Sequence, residues 1–409
     1  MTKLFLCGSA LVAAALILAC ATDNGDAVHG PQVGPPPDRP DVGVDGGPSS
    51  DDGGPPPSDG GPASDAPVST CSAGTIAVLA GNDSSLTGAW KIAGGAWKGA
   101  AIAGSAAKNH PSIVPFGNGF LGLTRGTADA LQSITFETSW SAALAVGTAT
   151  TIGGPALAVV GTKAHVVYLA AGAPNVFFRA ENGGTSWGVT ADPVTAAAVQ
   201  SFGPSAGTVA AAGAELVFAQ NGDDDGLYTQ TYDGAWSVAV PIVGAGTLKT
   251  APPSLVAIDG KFDLVLLYVD KAASRIGFAT RAAGTKAWSN GVVAQAMALT
   301  SAQPQVARIS PTTLVVTYLG TDGGGGRPYW MTGTIGASAI TWSVPTALLA
   351  DTSTVDGPPA VAKGVCGDDA IAVFAASGLV KATRLRGSTW SVPEAVGGAS
   401  GSRVSVSTR

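Results

Sequence analysis

Histidine is nearly missing from this 409-residue chain, which holds only His29, His110 and His165. Paired-histidine zinc sites and Ser-His-Asp arrangements have almost nothing to draw on, and no such spacing is visible. No phosphate-binding loop stands at a strand–helix junction either. Charge is scarce, at 12% of residues, with 22 basic against 28 acidic. Residues 21–70 hold nine Asp and a single basic residue, Arg39, so the segment's −8 exceeds the net −6 of the whole chain. The remaining domain, residues 71–409, is close to neutral and shows no basic stripe, which makes nucleic acid a poor partner. Cysteine stops at four, namely Cys7, Cys20, Cys71 and Cys366, which excludes a disulfide-dense scaffold.

What is present begins with an export signal. Lys3 precedes an apolar stretch of 16 residues, Leu4 to Ala19, short for a membrane span and suited to a secretory signal. Its ending, Ile17-Leu18-Ala19-Cys20, resembles the lipobox of bacterial lipoproteins. That resemblance implies cleavage before Cys20, lipidation of Cys20 and membrane anchoring, with several acyl chains holding where one would be marginal. Ala21 after the cysteine is compatible with the outer membrane or cell surface. The alternative is an ordinary secretory signal with a chance cysteine.

Residues 21–70 contain 11 Pro, 10 Gly and no aromatic residue. Such a composition buries too little apolar surface to offset ordering entropy, so it reads as a disordered spacer. Its length allows about 40 Å of flexible reach. The expected organisation is a signal peptide at 1–19, the lipidated cysteine and spacer at 20–70, and a folded domain at 71–409.

That domain repeats. Six prolines are each followed, 29 to 38 residues later, by a tryptophan: Pro111/Trp140, Pro155/Trp187, Pro204/Trp236, Pro253/Trp288, Pro304/Trp342 and Pro359/Trp390. A period of roughly 45–50 residues, built of short strands and turns, predicts a β-propeller with four strands, A to D, per blade. Proline opens strand A, where its missing N–H costs no ladder bond. Runs such as Leu264–Tyr268 and Leu314–Tyr318 read as strand B, Arg275–Thr280 as a strand C, and Trp236-Ser-Val-Ala or Trp390-Ser-Val-Pro as strand D. Fragments at the two ends complement each other. Thr75–Leu79, Leu86–Ile92 and Trp97–Ile102 match strands B, C and D, while Ser402–Val406 matches strand A. The prediction is an all-β, seven-bladed ring closed by the C-terminal strand, which removes most free sheet edges.

The repeated tryptophans read first as blade-packing anchors and second as sugar-stacking platforms. Trp330 stands outside the repeat, near a B–C loop, and is the better stacking candidate. Ala180-Glu-Asn-Gly-Gly-Thr-Ser-Trp187 resembles the Asp-box of sialidase-type propellers, with Asn182 and Ala180 in place of its Asp and Ser. In that family the box is a structural turn. The sialidase Arg-Ile-Pro motif is absent, and the glutamates Glu137, Glu181, Glu215 and Glu394 fall away from the D–A and B–C loops. No carboxylate pair is marked by spacing.

The stretch Asn221-Gly-Asp223-Asp-Asp225-Gly226 reproduces half of a calcium loop and resembles the hairpin loops of integrin-like propellers, which implies Ca²⁺ on Asn221, Asp223 and Asp225. A solvated turn is the other reading. Candidate ligand contacts on the D–A and B–C loops are Arg125, Asp129, Asn175, Asp223, Asp225, Asp270, Asp322, Arg327 and Trp330, and His110 beside Pro111 could also face a ligand. Cys71 enters at the A–B side of the composite blade and Cys366 lies in the A–B turn of its neighbour, so a disulfide between them is expected in an exported protein. The function expected is a membrane-anchored binding propeller, resembling bacterial lectin propellers, for a glycan or protein ligand. The alternatives are a sialidase-like hydrolase and a purely structural envelope protein.

Overall fold

The structure is a computed structural model that describes residues 74–409, except 172–176, 185, 189–191, 195–206, 223, 322–325 and 352. Its strands form seven antiparallel sheets, one per blade. Blade 1 shows the plan: strand A is Ser112–Phe116, B is Gly119–Arg125, C is Ala130–Phe136 and D is Leu144–Thr150. Strand A runs from the face carrying the D–A and B–C loops, here the upper face, to the lower face carrying the A–B and C–D turns.

The ring closes as expected. Arg403–Thr408 pairs antiparallel with Thr75–Gly81, matching Val404 to Ala80 and Val406 to Val78. Leu86–Ile92 and Lys98–Ala101 complete that sheet as strands C and D. Thr75–Gly81 is the most thoroughly buried strand of the blade, with Ala77, Val78, Leu79 and Ala80 all at 0% exposure.

Apolar runs of β-branched residues make the B strands because both of their faces are covered, one by each neighbouring blade. Val265, Leu267, Val316 and Tyr318, from strands B of blades 4 and 5, meet in one cluster. Large side chains fill what the abundant Ala and Gly leave open, and here the tryptophans enter. Trp140, Trp187, Trp236, Trp288, Trp342, Trp390 and Trp97 each pack against the blade that precedes their own. Seven seams, seven tryptophans. Trp140 lies so flat on blade 7 that a Cβ at Gly88 would sit 2.5 Å from its Nε1.

One detail of the expected strand plan differs. The tryptophan does not lie within the main D strand; it pairs with the end of strand C, by a single bridge in Phe136–Trp140 and Tyr232–Trp236 and in a short strand at Ile340–Trp342 and Thr389–Trp390. Strand D proper starts four residues later, at Leu144 and Val240. The serine after the tryptophan explains the break. Ser141, Ser237, Ser289, Ser343 and Ser391 each accept a strand-C amide on Oγ, from Thr135, Thr231, Thr280, Thr332 and Arg384 at 2.9–3.1 Å. A hydroxyl takes the place of a ladder carbonyl, and the chain bulges before pairing resumes.

Candidate functional site

Strand A of every blade faces the axis, and the upper ends of these strands enclose a cavity of about 250 Å³. All seven blades contribute. Its polar lining consists of hydroxyls and amides, from Ser112, Thr208, Ser254, Gln303, Gln305 and Ser405, with one imidazole, His110. Apolar side chains such as Ile113, Leu157, Val209 and Val361 fill the intervals. No Asp, Glu, Lys or Arg is among the described residues that line it. The volume falls just below the range of about 300–1,000 Å³ usual for drug-sized ligands, so a single small ring is the scale of guest it suits.

His110 reaches this position because the loop from strand D of blade 7 ends on Pro111, which starts strand A of blade 1. Burial holds its imidazole down at about 4, opposed by a hydrogen bond to the Val404 backbone and assisted by the nearby Arg403 charge. The ring is neutral at pH 7. Arg403 is itself engaged, with Nη1 2.6 Å from Asp83 Oδ1 and 2.5 Å from the Ala107 carbonyl.

Of the residues put forward from sequence, His110 lines the cavity, whereas Arg125, Asp129, Asp270, Arg327 and Trp330 lie outside it. Arg125 and Asp129 do come together: Arg125 Nη2 and Lys108 Nζ both stand 2.9 Å from Asp129 Oδ1, and Arg125 Nη1 donates to the Ile152 carbonyl at 2.6 Å. The Lys108 and Arg125 hydrogen bonds hold the Asp129 carboxyl below its usual range. Asp270 caps its own turn by accepting the Ala273 amide at 3.0 Å. Arg327 places its guanidinium 5.7 Å from the Tyr329 ring centre. Trp330 is half-buried in the seam between blades 5 and 6, edge-on to Trp390 with centroids 5.7 Å apart. Its ring is thus a packing contact. Asn175, Asp223 and Asp322 lie outside the described residues.

The calcium-like loop is held by other means where it is described. Asn221 is buried and donates its amide to the Leu248 and Ala251 carbonyls at 3.2 and 2.9 Å. Asp225 pairs with Lys271 and lies 3.6 Å from Lys249. The Asp225 carboxylate is thus shared by two ammonium groups, and Asp223, the middle residue of the expected calcium set, lies outside the described residues.

A recurrent clamp went unread in the sequence. Thr151, Thr247 and Thr300, each 0–1% exposed, follow strand D of their blades. Their amides donate to the carbonyls of Asp129, Asp225 and Ser274 at 2.7–2.8 Å. Those three acceptors are left-handed, with φ of 62°, 64° and 50°. The strained conformation costs about 1 kcal/mol or more and persists because it turns a B–C loop carbonyl toward the threonine. Each threonine also bridges to the B strand of the next blade, at Ala170, Asp270 and Gly320. The signal was there as threonine four residues before the blade-opening proline, in Thr151/Pro155 and Thr300/Pro304.

On the lower face, a groove of about 1,070 Å³ opens between blades 1 and 2, lined by Phe116, Phe136, Glu137, Trp187 and Arg409 among others. The remaining glutamates also lie low and are tied into seams. Glu181 meets Lys163 and Arg179 at 3.0 and 2.9 Å, Glu215 meets Arg281 at 3.1 Å, and Glu394 meets Lys91 and Trp97 at 3.0 Å. His165 is likewise interior, 3.1 Å from Arg179, and burial followed by that charge lowers its pKa.

No family model matches the sequence, and no curated protein matches it. Solved structures do resemble the fold. A putative 6-phosphogluconolactonase from Bacteroides uniformis superposes with a TM-score of 0.54 at 13% identity, covering 81% of this chain and 99% of that one. The Aleuria aurantia lectin, described as a six-bladed β-propeller, gives 0.43 at 14% identity over 70% of this chain and 94% of its own. A Hadza microbial sialidase gives 0.45 at 11% identity over 73% and 70%. At 13% identity the likeness to the first of these is one of fold, and the chain is a seven-bladed β-propeller.

Proposed function

We propose that this chain is an exported lipoprotein of the cell envelope whose propeller binds a glycan in the axial cavity. The observation that carries the reading is the cavity's lining: hydroxyl and amide groups from five blades, interspersed with apolar side chains, and no charge among the described residues. A sugar ring presents the same mixture of hydroxyls and C–H faces, and each buried polar group needs a partner. The test is a glycan array probed with the full chain and with Thr208→Trp, which puts an indole into the cavity. The wild type is expected to bind and the variant to lose at least tenfold in affinity while keeping its melting temperature within a few degrees. Equal binding by both would move the site elsewhere, the groove between blades 1 and 2 being the next place to substitute.

Anchoring rests on the lipobox-like ending at Cys20. Labelled palmitate is expected to enter the wild type and to be absent from Cys20→Ala, and equal labelling would refute the anchor.

The proposed disulfide between Cys71 and Cys366 has local support. Gly74 lies against Val365, so closely that a Cβ on it would stand 2.9 Å from the Val365 Cβ. The chain three residues after Cys71 therefore touches the residue before Cys366. Cys366 adopts φ 61° in the A–B turn of blade 6. Closing so long a loop stabilises by about 5 kcal/mol at most in chain-entropy terms. Non-reducing peptide mapping is expected to recover the two cysteines as one linked pair; alkylation of both without reductant would exclude the bond.

A further inference from the structure

We propose that His110 selects the ligand of the axial cavity by accepting a hydrogen bond from a ligand hydroxyl, which restricts the cavity to uncharged sugars. The inference rests on the reading of that cavity as the glycan site, and it names the group that decides which glycans enter.

His110 lines the cavity. Its ring is hydrogen-bonded to the backbone of Val404, on the strand that closes the propeller. A neutral imidazole has one N–H donor and one bare acceptor nitrogen. The backbone carbonyl takes the donor, which fixes the tautomer, so the nitrogen left over can only accept. Desolvation keeps the ring from protonating near neutral pH, and the adjacent Arg403, held by Asp83 and the Ala107 carbonyl, opposes a second positive charge there. Other polar groups of the cavity, such as Ser112, Thr208 and Gln305, can turn to donate or accept. The imidazole is committed to accepting, as is Ser254, whose hydroxyl donates to the Pro304 carbonyl.

A ligand hydroxyl can satisfy that role, because it donates. A carboxylate cannot: it brings acceptors to an acceptor, and the described lining offers no cation in exchange for its lost water. Sites built to hydrogen-bond a particular hydroxyl reject analogues lacking it far more strongly than apolar pockets reject a missing methylene. His110 is therefore a specificity-determining residue at the mouth of the channel.

Calorimetry on the full chain tests this with free D-glucose, D-galactose, D-mannose and L-fucose, with D-glucuronate and D-galacturonate as charged counterparts. At least one neutral sugar is expected to bind, and each uronate at least tenfold more weakly than its neutral parent. Within the deoxyfluoro series of the sugar that binds, one position should lose at least tenfold, because fluorine does not donate. That loss should vanish in His110→Phe, which removes the acceptor, and persist in His110→Gln, which retains a carbonyl acceptor. The fluorosugar series on the wild type stands by itself if His110→Phe does not fold. Uronates binding as tightly as neutral sugars, or a series with no sensitive position, would overturn the role of His110 while leaving the cavity as the glycan site. No binding by any free sugar, or binding undiminished in Thr208→Trp, would overturn the cavity reading and the inference with it.

Discussion

Removal of residues 402–409 is expected to abolish the domain's thermal transition or to lower it by well over 10 °C. The segment forms strand A of the composite blade and pairs along six residues of Thr75–Gly81. Val404 and Val406 are 4% and 8% exposed, and burial of such side chains contributes about 1.5–3 kcal/mol each. Their loss also uncovers a strand whose central residues are wholly buried, and it opens one wall of the axial cavity. The combined penalty approaches the net stability of about 5–15 kcal/mol typical of a folded domain. A truncated chain should show either no thermal transition or one lowered by well over 10 °C. A synthetic peptide of the deleted sequence, added in excess, should restore part of it by occupying the vacant edge. An unchanged melting curve would mean that the ring does not close through this strand.

The second large effect is expected at the seam between blades 3 and 4. Arg281 is 1% exposed, with Nε and Nη2 each 2.8 Å from Asp263 and Nη2 3.1 Å from Glu215. Lys286 adds a contact at 2.8 Å to Asp263. Burial pushes the Asp263 carboxyl up, but the Arg281 and Lys286 hydrogen bonds prevail and hold it below its usual value. Arg281→Met leaves two carboxylates facing each other with only a half-exposed lysine between them. Breaking a buried pair in this way costs about 3–5 kcal/mol, reduced here toward the lower figure by Lys286. By contrast, Arg308→Ala breaks a pair with Asp259, which is 88% exposed, and should cost under about 1 kcal/mol.

The sign of the pH dependence separates charge from packing. In the wild type the depressed Asp263 contributes stability that is present above its unfolded pKa and lost as pH falls through its folded one. In Arg281→Met that contribution is gone and protonation of Asp263 relieves the stranded charge. The gap in melting temperature between the two proteins should therefore narrow as pH falls from 7 toward 4. A gap that stays constant would assign the loss to packing alone.

The ring and its closure were legible because they depend on what neighbours along the chain reveal. Continuous apolar, β-branched runs mark strand B, and a tryptophan recurs wherever a seam must be filled. The unmatched ends, Thr75–Ile102 and Ser402–Val406, complete each other only as one blade. The tryptophans' exact place was not legible, because it turns on a serine hydroxyl replacing a ladder carbonyl, as at Ser237. The site was less readable still. Asp129 and Arg125 resemble ligand contacts in sequence, yet their partners Lys108 and Ile152 come from the loops on either side and bind them into the rim. The axial cavity gathers Ser112, Thr208, Gln305 and Ser405 from strands spread over nearly 300 residues, and no local pattern marks them as one surface. His110 was visible only as a rare residue next to a blade-opening proline.

The central claim, that ligand enters the channel at the upper face, is tested most directly by a crystal structure of the protein soaked with the tightest-binding saccharide from the array. Electron density is expected for one sugar ring on the axis, with a hydroxyl within hydrogen-bond distance of His110 and others reaching Thr208 or Gln305. Density in the groove beside Trp187, with the axial cavity holding no saccharide, would contradict it.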